Sequence, residues 1–64
     1  MKIGTVKMWD GLKGFGFIED DEGMDYFVNI SKVRMGQKLR EGDRVKFDVS
    51  EGQRGPSAEN VCKL

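Results

Sequence analysis

The sequence contains no histidine, a single cysteine and a single proline, and no apolar stretch approaching the roughly 20 residues that cross a bilayer as a helix. Without imidazole, the commonest general base and the usual partner of a nucleophilic Ser or Cys are missing. An enzymatic reading has only Ser31, Cys62 and scattered carboxylates to draw on. Cys62 alone forms no internal disulfide, and one thiol without histidine makes no structural zinc site, so neither a metal nor any other cofactor is expected. No segment resembles a nucleotide-binding loop or a signal peptide, and a soluble, cytoplasmic chain with no membrane partner is expected. At 64 residues there is length for one domain with one small core, and none for a deep pocket that would take a small-molecule substrate.

What is present is patterned enough to fold: hydrophobic residues are 38% and charged residues 34% of the chain, too apolar a mixture for the disordered class. The 11 basic and 11 acidic side chains cancel, which at first weighs against a nucleic-acid partner. Their distribution says more. Glu19, Asp20, Asp21, Glu22 and Asp25 fall within one seven-residue stretch, and the rest of the chain carries an excess of five positive charges. If that stretch is a turn at one end of the fold, the molecule is a dipole with a basic side; an ordinary solvated turn is the plainer reading.

Several short windows alternate apolar with polar residues, and none sustains a helical period, so the chain reads as all-β. The expected strands are Lys2 to Trp9, with a bulge or bend near Met8, then Lys13 to Glu19, Tyr26 to Ile30, Arg44 to Ser50 and Ala58 to Lys63. Asp10-Gly11 reads as a tight hairpin turn, and the segment from Glu51 through Gln53 and Arg54 to Pro56 as another. Residues 31–43 read as a long connection with one helical turn, pinned by Val33, Met35 and Leu39 and carrying Lys32, Arg34, Lys38 and Arg40. Five short strands leave fewest exposed edges as a closed antiparallel barrel. Its interior is expected to take Val6, Ile18, Tyr26, Val28, Val45, Phe47, Val49 and Val61.

In an extended Lys13-Gly14-Phe15-Gly16-Phe17-Ile18, Lys13, Phe15 and Phe17 share one face, with the two glycines and Ile18 on the other. Glycine on an inward face fits a strand that bends sharply or that another backbone approaches closely. In the neighbouring Tyr26-Phe27-Val28-Asn29-Ile30, Phe27 and Asn29 point opposite to Tyr26 and Val28. Aligned outward faces would expose Phe15, Phe17 and Phe27 as one patch, where flat rings beside lysines suit the bases of an unpaired strand. The competing arrangement, with the rings inside, would turn Gly14, Gly16 and Ile18 to water.

These two segments resemble the ribonucleoprotein motifs of bacterial cold-shock proteins. Gly4-Thr5-Val6-Lys7, Arg40-Glu41-Gly42, Gly55-Pro56-Ser57-Ala58 and Asn60-Val61 extend the resemblance over essentially the whole chain. It implies a five-stranded antiparallel barrel of OB type that binds single-stranded RNA and DNA and often acts as an RNA chaperone. Carried over by position, Phe15, Phe17 and Phe27 are the stacking rings and Lys7 and Lys13 the backbone-contacting cations. Trp9 stands where the family usually has a surface Phe. Met8, Asn29 and Ile30 replace the family's usual Trp, His and Phe, and the connection after Ile30 is about two residues shorter. The expected interface is thus Lys7, Met8, Trp9, Lys13, Phe15, Phe17, Phe27, Asn29, Ile30 and Arg54, with weaker affinity than a typical member. A monomer is expected, with a weak dimer as the alternative. The competing function is a protein-interaction module that uses Met8, Trp9 and Ile30 as apolar anchors.

Overall fold

The computed structural model describes residues 1–52 and 55–64. Five strands, β1 (Lys2–Asp10), β2 (Phe15–Asp20), β3 (Asp25–Asn29), β4 (Arg44–Gly52) and β5 (Gly55–Lys63), close into a barrel in the order β1-β2-β3-β5-β4. Neighbours run antiparallel except β3 and β5, which meet in parallel at Phe27 and Ser57. Two short 3-10 turns, Ile30–Lys32 and Arg34–Gly36, occupy the long connection between β3 and β4.

The core consists of Val6, Ile18, Tyr26, Val28, Val33, Leu39, Val45, Phe47, Ala58 and Val61. Seven of the eight expected interior residues are among them; Val49 is not, being 42% exposed. The pairing of β4 with β1 ends at Phe47 opposite Lys2, so beyond that point β4 pairs, among the described residues, with β5 alone and Val49 is left open to solvent. Of the three anchors expected in the connection, Val33 and Leu39 are buried and Met35 is not. Met35 sits at φ 59° beside Gly36 at φ 64°, a left-handed pair that turns the chain and throws the side chain outward.

The tight Asp10-Gly11 hairpin is replaced by a wider turn over residues 11–14. Asp10 Oδ1 accepts from the backbone N–H groups of Leu12 and Lys13, and the Asp10 carbonyl accepts from Gly14. The positive φ falls on Gly14, at 75°, so Gly14 closes the turn and takes no part in the strand.

Gly16 does lie on the inward face. A Cβ there would collide with the Met8 carbonyl oxygen and come within 2.7 Å of Trp9 Cε3, so the position is glycine because β1 crosses against it. The expected bulge is present: Val6 faces Ile18 and Met8 faces Phe17, leaving Lys7 as the extra residue. This extra residue resets the alternation, so that Lys7 and Met8 both face solvent and Trp9 turns in over Gly16 against the core.

Candidate nucleic-acid interface

Strict alternation along β2 and β3 buries Ile18, Tyr26 and Val28 and leaves Phe15, Phe17 and Phe27 on the outer face. Phe17 faces Phe27 directly and Phe15 faces Asn29 across the ladder. The Phe27 ring lies 5.8 Å from Phe15 at 33° and 5.9 Å from Phe17 at 72°, so the three form a continuous surface with Phe27 at its centre. None of the three belongs to the core, and Phe17 is 36% exposed.

Lys13, Phe15, Phe27 and Asn29 together line an open cleft of about 460 Å³. Asn29 comes to its rim at the end of β3, where Oδ1 accepts from the Ser31 N–H at 2.9 Å and caps the first 3-10 turn. Met8, opposite Phe17, extends the apolar face onto β1. The Ile30 N–H donates to the Gly14 carbonyl at 2.8 Å, fastening the start of the connection to the β1–β2 turn.

Trp9 and Ile30 meet elsewhere, in a second concavity of about 340 Å³ that they share with Gly11, Lys38, Leu39 and Arg40. Trp9 therefore forms a wall beside the ring surface and also packs on the core. The sequence offers Lys32, Arg34, Lys38 and Arg40 alike as cations of a connection pinned in part by Leu39; what it does not show is that Lys38 and Arg40, on either side of buried Leu39, are the two set at this hollow. Turn geometry holds the far end of the segment. Asp43 Oδ2 accepts from the Arg40 N–H, Gly42 donates to the Val6 carbonyl, and Val6 donates to that of Asp43. Lys32 and Arg34 line neither concavity, and Arg54 lies outside the described residues.

Lys7 lies at the edge of this surface and is paired: Nζ stands 3.1 Å from Asp25 Oδ2, and that bond raises the lysine pKa. Two other cations are engaged by the acidic turn. Lys2 Nζ lies 3.6 Å from Asp20 and 3.5 Å from Glu22, and Arg44 makes two hydrogen bonds to the Asp21 carboxylate. The turn is thus compensated by β1 and β4, and the dipole is weaker than the sequence alone implies. Among the described residues, Lys13, Lys32, Arg34, Lys38, Arg40 and Lys46 have no ion-pair partner. All but Lys46 belong to the β1–β2 turn and the long connection.

A family model described as the 'Cold-shock' DNA-binding domain matches residues 2–64. The "Major cold shock protein" of Streptococcus pyogenes is 48% identical over 66 residues, covering 100% of this chain and 98% of the relative. The "Cold shock-like protein CspLB" of Listeria monocytogenes is 53% identical over 66 residues, covering 100% of each. Among solved structures, one titled "drosophila Unr CSD456" superposes with a TM-score of 0.79 at 23% identity, over 98% of this chain and 26% of that one. That last likeness is one of fold.

Proposed function

The chain belongs to the cold-shock domain family of nucleic-acid-binding proteins, and from that premise we propose that it binds single-stranded RNA and DNA by stacking unpaired bases on Phe15, Phe17 and Phe27. The observation that carries the reading is the outward placement of these three contiguous rings while the interior is filled by other side chains. Stacking contributes about 1 to 3 kcal/mol per base, so three rings at the upper end of that range reach micromolar affinity with little net charge. Unpaired Lys13 lines the ring cleft and unpaired Lys38 and Arg40 the neighbouring hollow, where they add phosphate contacts.

Binding that favours the unpaired strand shifts RNA away from its own secondary structure by mass action, with no nucleotide hydrolysis. This is the chemistry of an RNA chaperone. Affinity is lower than that of a family member with rings in place of Met8, Asn29 and Ile30, since an aliphatic side chain or an amide offers less surface to a base.

Anisotropy of labelled heptanucleotides tests the reading directly. Oligo-U and oligo-dT are expected to bind in the micromolar range at low salt, and a duplex of equal length far more weakly. Equal affinity for duplex and single strand, or none for either at 100-fold higher protein, would reject it. Chaperone action predicts that a hairpin with a fluorophore and quencher opens at lower temperature as protein is added without ATP.

A further inference from the structure

The sequence has four methionines, Met1, Met8, Met24 and Met35, and all four are exposed, although methionine ranks among the more buried residue types. None belongs to the core, so converting any of these thioethers to a polar group opens no cavity and buries no unsatisfied atom. Three of them lie away from the rings. Met1 shares a shallow concavity with the acidic turn, and Met24 ends that turn. Met35 lies in the second 3-10 turn and lines neither the ring cleft nor the hollow beside Trp9. Met8 stands on the ring surface itself. It is as exposed as Phe17, which it faces across the β1–β2 ladder, and the Phe17 ring centroid lies 5.9 Å from that of Phe27.

The backbone keeps Met8 there. The extra residue at Lys7 turns the Met8 side chain to the solvent face, and the Met8 carbonyl oxygen packs so closely over Gly16 that a Cβ at Gly16 would strike it. The thioether cannot withdraw into the barrel without breaking that contact. A sulfur held at the surface is open to two-electron oxidation by hydrogen peroxide. A lone pair on Sδ attacks one peroxide oxygen, and the S–O bond forms as the O–O bond breaks. The proton of the attacked oxygen passes to the other, which leaves as water, so the thioether is oxidised to a sulfoxide and the peroxide is reduced. The product exchanges a soft apolar surface for a polar S=O group, which must give up its water when a base or sugar covers it. We propose that Met8 is a reversible oxidation site on the nucleic-acid face, and that its sulfoxide weakens single-strand binding while the fold stays intact. The inference rests on the single-strand-binding reading above and adds redox control to it. Reversal uses a methionine sulfoxide reductase and two thiols, which take the oxygen off as water and end as a disulfide.

The test treats the protein with hydrogen peroxide, then with catalase and dithiothreitol. The dithiol returns a reversibly oxidised Cys62, half-buried on β5, to its thiol and leaves sulfoxides in place. Peptide mass reports the added oxygen at each methionine. Anisotropy of a labelled oligo-dT heptamer then compares oxidised with reduced protein. Wild type is expected to bind about tenfold more weakly once Met8 carries oxygen. The Met24→Leu, Met35→Leu double variant keeps Met8 and should lose the same factor. Met8→Leu has no thioether on the ring surface, and oxidation should leave its Kd where it was, whatever its starting affinity. Sulfoxide reductases for both epimers, supplied with a dithiol, should return wild type to its reduced affinity. Thermal unfolding of the oxidised protein should remain cooperative.

Wild type that carries the Met8 sulfoxide and binds as tightly as before would overturn the proposal. An equal loss of affinity in oxidised Met8→Leu would do the same, because another side chain would then carry the effect. So would a Met8 left unoxidised while the other three methionines gain oxygen, or an oxidised protein that no longer unfolds cooperatively. Each of these results leaves single-strand binding by the reduced protein intact. Failure of the reduced protein to bind any strand would remove this inference together with the reading beneath it.

Discussion

Two phenylalanines separated by twenty positions, Phe27 and Phe47, show how much the face of a strand decides. Phe47 is fully buried against Tyr26, with ring centroids 5.3 Å apart. Its replacement by Ala is expected to cost about 3 to 5 kcal/mol. At the usual average per residue a domain this small has only about 3 to 10 kcal/mol in all, so the variant should be largely unfolded at 37 °C. Phe27 is half-buried on the outer face, where it touches two rings, and a cross-strand aromatic pair contributes only about 0.2 to 1 kcal/mol to stability. Phe27→Ala should therefore retain a cooperative unfolding transition while losing about 1 to 3 kcal/mol of binding, at least a fivefold rise in Kd. Calorimetry and anisotropy on the same two samples decide the matter; loss of folding in Phe27→Ala would place that ring in the structural core. Gly16→Ala gives the converse check. Its methyl would strike the Met8 carbonyl, and a drop in stability of about 1 to 3 kcal/mol or more is expected although nothing has been removed.

At the scale of the elements, the alternation in β2 and β3 was legible because each apolar side chain there has an unambiguous partner face. The single inserted residue at Lys7 was legible as a broken period near Met8. Its consequence for Trp9 was not, because the direction of a side chain after a bulge depends on which residue is extra. The Asp10-Gly11 pair misled for a related reason. Asx hydrogen bonding from Asp10 stabilises a longer turn equally well, and the residue that needs a positive φ is then Gly14. The irregularity of β5 at Asn60, with φ 53° and its amide on Asp48, has no sequence signal beyond a residue type that tolerates that conformation. Within the site, the rings were readable from alternation alone; Lys13 reaches the cleft from the β1–β2 turn and not from the strand in which alternation had placed it, and the orientation of the Asn29 amide required the 3-10 turn that begins at Ile30. The connection invites its own measurement. Lys38 and Arg40 sit at the hollow lined by Trp9 and Ile30, whereas Lys32 and Arg34 do not. If a strand continues from the rings into that hollow, Lys38→Gln with Arg40→Gln should reduce the slope of log K against log salt by about 0.7 per lost phosphate contact. The Lys32→Gln, Arg34→Gln double variant should change it less. Equal slopes in wild type and both variants would remove the connection from the binding track.

For the molecule as a whole, charge serves the fold at one end and is left over at the other. The acidic turn is anchored by Asp20, which is buried, accepts from the backbone N–H groups of Met24 and Glu22 and from the Tyr26 hydroxyl, and lies 3.6 Å from Lys2 Nζ. The Met24 bond, helped by those of Glu22 and Tyr26 and by Lys2, holds its carboxyl below the ordinary value of 3.8 against the opposing effect of burial. Asp21 is lowered as well, chiefly by its hydrogen bond from Arg44. Tyr26 is raised above 10.0, first by burial and then by its bond to Asp20. The two directions bound one window. A carboxylate with a depressed folded pKa stabilises the fold above its unfolded value, and that stability disappears as pH falls through the folded value. A phenol with a raised folded pKa stabilises it below its unfolded value, and that contribution disappears as pH rises through the folded one. Stability should thus form a plateau between about pH 4 and pH 10, falling on the acid side as Asp20 and Asp21 protonate and on the basic side as Tyr26 ionises. Urea midpoints from pH 2 to 11 measure both limbs. Asp20→Asn should lower the plateau and flatten the acid limb, because the amide still accepts but no longer titrates, and Tyr26→Phe should flatten the basic limb. An acid limb as steep in Asp20→Asn as in wild type would mean that other carboxylates set the acid limit of this fold.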